Sequence, residues 1–161
     1  MKKLKLYLET SVFGFYFDEI ERNVTKRNAI RKLLKQVKDG IFEGFISQVT
    51  YAEIAKSDEP HRSRDLKLIE DFDIELLSVN ESEVSLLYGA YIRENILKER
   101  YHLDLLHIAV ATVSSIDVLV TYNCEHIANE KTIRLIKSIN LREGFRTEIS
   151  IRVPDEVIRY E

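Results

Sequence analysis

The sequence contains few of the residues that form turns and cross-links: five glycines, two prolines, one cysteine and no tryptophan. So little glycine and proline excludes a collagen-like or loop-dominated chain and disfavours an all-β fold with many tight turns. The single cysteine, Cys124, cannot form an intramolecular disulfide, and no Cys/His cluster has zinc-site spacing. These absences favour a helix-rich protein of the reducing cytoplasm.

Long apolar runs are also missing, since no segment approaches the roughly 18–20 apolar residues of a membrane span. The basic start of the chain leads quickly to Glu9, which argues against a signal peptide. We therefore expect no membrane partner and a cytoplasmic location.

The chain has no excess of positive charge, because its formal net charge is −3. This disfavours nucleic-acid binding through overall charge, although a nuclease can still hold phosphate through a metal ion in a carboxylate pocket. The 161 residues are 45% hydrophobic and 32% charged. That composition excludes a disordered chain and fits one domain over residues 1–161.

Strand patterns and helix patterns alternate along the chain. Ser47 and Asn80 are predicted helix caps, and Pro60 suits the first turn of a helix. The order predicts an α/β fold with a central, mainly parallel sheet. The predicted strands cover 4–8, 42–46, 73–79, 118–121 and 149–153, the last at a sheet edge, and the predicted helices cover 21–39, 48–56, 60–72, 80–98, 104–111 and 132–139.

Acidic and amide side chains fall where these strands end or where the next helix begins. They are Glu9, Glu53, Asp104 and Asn123. Parallel α/β sheets place their ligand sites at the carboxyl ends of the strands. Carboxylate oxygens suit Mg²⁺ or Mn²⁺, and crowded like charges are costly without a cation. The pattern therefore predicts a divalent-metal site.

Each of these residues also has a purely structural interpretation. Glu9 could be a helix-start carboxylate, Glu53 a solvated helical side chain, Asp104 a helix N-cap and Asn123 a turn residue. His107 is interpreted as a core or rim histidine with its hydrogen bonds satisfied, in preference to a ligand. Cys124 is expected to be a small, at least half-buried side chain.

The sequence resembles PIN-domain proteins in a series of segments that span nearly the whole chain in the expected order. Each segment alone is a weak signal, and the ordered set is more specific. The segments are 6–13 (LYLETSVF), 49–54 (VTYAEI), 104–111 (DLLHIAVA), 117–123 (DVLVTYN), 125–129 (EHIAN) and 149–157 (ISIRVPDEV). The resemblance implies a three-layer α/β/α domain. It also implies a Mg²⁺- or Mn²⁺-dependent ribonuclease, most often the toxin of a VapBC-type toxin–antitoxin pair.

The resemblance assigns roles to particular residues. Glu9 and Asp104 are expected as direct metal ligands, and Glu53 as a ligand through water or a general base. Asn123 is expected on a metal-bound water or a phosphate oxygen. Supporting roles are expected for Thr10, Thr121 and Glu125.

Two positions depart from the family pattern. Glu9 replaces an aspartate, which keeps the charge and adds a methylene. Asn123 stands where many members have a fourth aspartate, and Glu125 is a candidate substitute carboxylate.

The implied partners are an RNA substrate, a small antitoxin protein and a second copy of the chain in a homodimer. Substrate binding is expected from a basic group before Asp104: Arg93, Lys98, Arg100 and His102. The cations of 22–38 are interpreted as the solvated, carboxylate-paired face of a helix. The aromatic cluster of Phe13, Phe15, Tyr16 and Phe17 suits either core packing or an antitoxin or dimer contact. The alternative function is a catalytically weakened PIN-like module that binds RNA or protein.

Overall fold

The computed structural model describes residues 2–145 and 148–160 and contains five strands within an α/β fold. The strands are β1 (Lys5–Leu8), β2 (Glu43–Ile46), β3 (Glu75–Leu76), β4 (Val118–Val120) and β5 (Ser150–Arg152). The α-helices are α1 (Ser11–Gly14), α2 (Val24–Lys38), α3 (Gln48–Ala55), α4 (His61–Asp71), α5 (Glu81–Arg93), α6 (His102–Val113), α7 (Glu130–Arg142) and α8 (Pro154–Val157). Short 3₁₀ turns cover Phe15–Phe17, Glu21–Asn23 and Glu99–Tyr101.

The five strands form one parallel sheet in the order β3-β2-β1-β4-β5. β1 is central and pairs with β2 on one side and β4 on the other. The predicted parallel α/β architecture is confirmed, and β5 lies at a sheet edge as expected. The chain fills β1, β2 and β3 in one direction and then returns to the other side of β1 for β4 and β5.

Apolar side chains on both faces of β1 explain why helices cover both sides of the sheet. Leu6 and Leu8 face the core beneath α1, α2 and α4. Tyr7 faces the opposite core, which contains residues of α5, α6 and α7. A strand buried on both faces is typical of a parallel sheet. The result is the expected three-layer α/β/α arrangement.

Several predicted boundaries differ from the structure. The helix predicted over 80–98 ends at Arg93, because Asn95 adopts a left-handed backbone conformation (φ 51°) that an α-helix cannot continue. The strand predicted over 73–79 pairs only at Glu75–Leu76. The helix predicted over 132–139 is longer, because Asn129 caps it by accepting from Thr132 N.

The remaining boundaries show which local signals were sufficient. Ser47 accepts from Val49 N and Asn80 from Glu83 N, so both predicted caps are confirmed. Pro60 is the N-cap of α4, so the helix begins at His61, one residue later than predicted. The helices α1 and α8 were not predicted, because each has only four residues.

None of the helices in the described residues is both long enough and apolar enough to cross a membrane.

The buried carboxylate of Asp65 on α4 makes stability depend on pH. Burial raises the pKa of Asp65 to about 6, partly opposed by the charge of His61. The folded state therefore binds this proton more tightly than the unfolded state, and stability falls as the pH rises through about 6. We expect Asp65→Asn to stabilise the protein by about 1–2 kcal/mol at pH 7.5 and by much less at pH 4.5.

Urea denaturation of both proteins at the two pH values measures this effect. Asp71→Asn on the same helix is the control, because Asp71 is exposed and paired with Lys67. Equal gains at both pH values would show that the ionised Asp65 carboxylate is not the cause.

Candidate metal centre

The predicted acids follow the central strand or lie on the adjacent helices α3 and α6. Strand order reverses between β1 and β4, and in open α/β sheets the carboxyl ends at such a point form the usual ligand site. Glu9 follows β1, and its backbone N–H donates to Val120 O of β4. The position of Glu9 is thus set by the pairing of the two central strands.

Glu9 is a buried carboxylate with three hydrogen bonds. Glu9 is only 4% exposed to solvent. Oε1 accepts from Ser11 Oγ at 2.5 Å and from Thr121 Oγ1 at 2.6 Å, and Oε2 accepts from Ser11 N at 3.2 Å. A buried charge needs such donors to offset its lost hydration. Thr121, predicted as supporting, therefore contacts Glu9 directly.

Glu53 on α3 brings its carboxylate close to that of Glu9 and is not a freely solvated helical side chain. Oε1 accepts from Thr10 Oγ1 at 2.8 Å and from His107 Nε2. Burial raises the pKa of Glu53, but opposing effects, of which the hydrogen bond from His107 is the largest and the bond from Thr10 is another, outweigh it, so the net shift is downward. Glu53 is therefore held as an ionised carboxylate whose Oε1 atom accepts two hydrogen bonds.

Asp104 lies in the first turn of α6 but does not cap the helix, because Tyr101 occupies the N-cap position. Its Oδ2 accepts from Asn123 Nδ2 at 3.3 Å and lies 3.8 Å from His126 Nδ1. Burial and then the negative charge of Glu9 raise the pKa of Asp104. The influence of Glu9 shows that the two carboxylates share one electrostatic environment.

Asn123 combines the turn role and the site role. Its Oδ1 accepts from His126 N at 3.1 Å, which stabilises the turn after β4. Its Nδ2 donates to Asp104. Both polar ends of the amide therefore have partners within the protein.

Glu125 stands apart from the other acids. Its side chain is 85% exposed, and its Oε1 lies 3.6 Å from His126 Nε2. The neighbouring Cys124 is exposed as well, so the expectation of an at least half-buried cysteine is wrong.

Three residues offer ligand atoms close enough to share one ion: Glu9, Glu53 and His107, whose atoms all lie within 4.8 Å of one another. The group pairs two of the predicted acids with the histidine that was interpreted as structural, and Asp104 does not belong to it. His107 is fully buried, and both of its ring nitrogens are hydrogen-bonded. The prediction that the hydrogen bonds of His107 are satisfied is therefore confirmed. Its position next to Glu9 and Glu53 was not expected from the sequence.

The predicted substrate-binding residues lie at the end of α5 and in the turn before α6. Arg93, Lys98 and Arg100 are exposed, and His102 is half-buried edge-on to Tyr88. The Arg100 guanidinium lies 4.9 Å from the Tyr101 ring centre. Tyr101 in turn stacks on His126 at 3.7 Å. A continuous row of side chains thus connects Arg100 with the surroundings of Asp104.

The basic helix α2 has exposed cations along its length, such as Lys26 and Arg31, as predicted, but among the described residues its carboxylate pairs lie in its last turns. There Lys35 pairs with Asp39 and Lys38 with Asp73. Lys26, near the start of the helix, lies over the rings of Phe15 and Tyr122 instead.

The aromatic cluster is divided between two environments. Phe13 is fully buried in the core, whereas Phe15, Tyr16 and Phe17 are half-buried and pack against it.

Sequence reasoning missed Tyr7, Ser11 and His126 as residues of the site. Ser11 had a usable signal, since a hydroxyl two positions after a buried acid can reach back to it. Tyr7 and His126 had none, because their partners become neighbours only in the folded chain.

Neither a family model nor a curated protein sequence matches this chain.

We expect Asp104→Asn to have opposite effects on the free and the metal-bound protein. Burial and Glu9 make the ionised Asp104 unfavourable, so the neutral amide should raise the melting temperature in EDTA at pH 8. The same change removes a carboxylate that a bound cation would need, so the melting temperature should rise less on addition of Mn²⁺ than in the wild type.

Thermal unfolding with EDTA or Mn²⁺ measures both effects. Glu130→Gln is the control, because Glu130 is exposed on α7. An undiminished Mn²⁺ response in Asp104→Asn would place the ion away from Asp104.

Proposed function

We propose that this protein is a Mg²⁺- or Mn²⁺-dependent endoribonuclease of the PIN-domain type, acting as the toxin of a type II toxin–antitoxin pair. The observation that carries the proposal is the pair of neighbouring carboxylates of Glu9 and Glu53 beside the end of β1, with the negative charge of Glu9 acting on Asp104. Within the described residues, no lysine or arginine forms an ion pair with any of the three. Negative charge is thus concentrated at these residues without a neutralising lysine or arginine.

The donor set fits a hard divalent cation. Glu9, Glu53 and Asp104 offer carboxylate oxygens, which Mg²⁺ and Mn²⁺ prefer. Oε1 of both Glu9 and Glu53 accepts two bonds, which leaves their Oε2 atoms more available. A bound cation would polarise a phosphoryl oxygen and lower the pKa of a bound water.

The protein's own groups would then position the reactants. Glu53, held ionised by Thr10 and His107, is suited to orient or deprotonate an attacking water. Asn123 would hold Asp104 in place through its Nδ2 atom.

The row of Arg100, Tyr101 and His126 would guide an RNA strand toward Asp104. Arg93 and Lys98 would add local positive charge to a chain whose net charge is −3, and the His102 ring lies in the same region as a further polar contact.

A small antitoxin and a homodimer belong to the same proposal through the PIN resemblance. The half-buried rings of Phe15, Tyr16 and Phe17 are the surface on which we would look for either contact.

The second candidate is a PIN-like module that binds RNA or protein without cleaving it. The observation that favours it is Asn123, which replaces a carboxylate and has both polar ends engaged within the protein. Binding of Mn²⁺ without any RNA cleavage would favour this candidate.

The test of the proposed function is cleavage of labelled single-stranded RNA with Mn²⁺ or with EDTA. We expect cleavage only with metal, and a loss of about 100-fold or more in Glu9→Gln, Glu53→Gln and Asp104→Asn. Glu130→Gln should keep wild-type activity. Equal cleavage by the wild type and Asp104→Asn would reject the assignment.

A further inference from the structure

A chain of buried hydrogen bonds leads from the core to Glu53. His107 Nε2 contacts Glu53 Oε1, and His107 Nδ1 lies 2.5 Å from the Tyr7 hydroxyl. Tyr7 and His107 are both 0% exposed. The Tyr7 hydroxyl also lies 2.6 Å from Ser47 Oγ and 3.3 Å from Thr50 Oγ1. The chain thus connects the cap of α3 with the carboxylate on the same helix through β1 and α6.

The available acceptors determine the direction of this chain. Ser47 Oγ accepts from Val49 N, and the acceptor that the described residues offer to its own proton is the Tyr7 oxygen. Thr50 has an acceptor in Leu8 O. The Tyr7 proton then goes to His107 Nδ1. A neutral histidine that accepts at Nδ1 carries its proton on Nε2 and donates it to Glu53.

The opposite direction is less favourable. If His107 Nδ1 donated to Tyr7, the Tyr7 proton would have two other acceptors. Thr50 Oγ1 is 3.3 Å away, well beyond the 2.5 Å that separates Tyr7 from His107 Nδ1. Donation to Ser47 instead would leave the Ser47 proton without an acceptor among the described residues. Ser47 is only 2% exposed, so water would not readily replace that acceptor. An unsatisfied buried donor costs about 1–3 kcal/mol.

We infer that Tyr7 holds His107 in its Nε2–H form, so that His107 positions Glu53 and is not itself a metal ligand. The inference rests on the proposed function, because it assigns a role within the proposed metal site. The candidate ligands in the group of Glu9, Glu53 and His107 are then only the two carboxylates, to which Asp104 is a further candidate. An all-oxygen set favours Mg²⁺ and Mn²⁺, whereas an imidazole ligand would favour Zn²⁺.

The positioning acts on one oxygen of Glu53. Oε1 receives both the His107 and the Thr10 hydrogen bonds, which fixes the carboxylate and directs Oε2 toward other partners. Partners of this kind commonly change metal affinity by 10- to 100-fold when they are removed. Tyr7 is therefore a positioning residue that acts through His107.

The first experiment identifies the protonated nitrogen of His107 directly. Long-range ¹H–¹⁵N NMR of the full chain distinguishes the two neutral forms of each histidine. We expect the Nε2–H form without metal and no change on addition of Mg²⁺. An Nδ1–H form, or loss of the Nε2 proton on addition of Mg²⁺, would overturn the inference.

The second experiment measures Mn²⁺ affinity by calorimetry in His107→Gln and His107→Leu. Glutamine keeps an N–H donor for Glu53, so its affinity should stay within about threefold of the wild type, whereas leucine should lose about tenfold or more. A glutamine variant that loses tenfold or more would identify His107 as a ligand and overturn the inference. Because this criterion needs only the glutamine variant, it holds even if the leucine variant does not fold.

Tyr7→Phe tests the first bond of the chain, and Tyr91→Phe is a matched control. Tyr91 is also 0% exposed, and its hydroxyl donates to Asn140 away from the site. Tyr7→Phe should weaken Mn²⁺ binding about tenfold, and Tyr91→Phe should leave it unchanged although each variant loses one buried hydroxyl. Equal affinities in the two variants would contradict positioning by Tyr7.

Failure of the proposed function would look different. A wild-type protein that does not bind Mn²⁺ would reject the metal site, whereas the NMR measurement without metal would still determine the form of His107.

Discussion

The burial of the Glu9 carboxylate at the end of the central strand is the constraint that organises the rest of the site. A charge in that position must be compensated locally, and three hydrogen bonds from Ser11 and Thr121 do so. Thr121 follows β4, so the compensation depends on the pairing of β1 with β4. The sheet and the candidate site are therefore stabilised by the same contacts.

The two faces of β1 divide packing from chemistry. Leu6 and Leu8 enter an apolar core, whereas Tyr7 places a hydroxyl among helices of the other face. The hydrogen-bonded path from Tyr7 through His107 to Glu53 occupies buried space that apolar side chains could fill without needing hydrogen-bond partners. Such networks are costly unless every member has a partner, which makes the complete chain of bonds informative about the role of Glu53.

The charge distribution also becomes interpretable. An overall charge of −3 is small for the whole chain, but Glu9 and Glu53 bring two carboxylates together, and the charge of Glu9 also acts on Asp104. The Arg100 side chain lies at the outer end of the row that leads to Asp104. Carboxylates grouped in this way can attract a divalent cation even though the net charge of the whole chain is small.

Local patterns in the sequence determined the order of strands and helices, the caps at Ser47 and Asn80, and the acids at the strand ends. These features depend on residues a few positions apart. Only the tertiary structure decided that α5 ends at Arg93, that Asp104 is not a cap, and that His107 contacts both Tyr7 and Glu53. Those two partners are 100 and 54 residues from His107 along the chain. Hydrogen bonds over such separations exist only after the sheet and its helices have packed, so no local pattern encodes them.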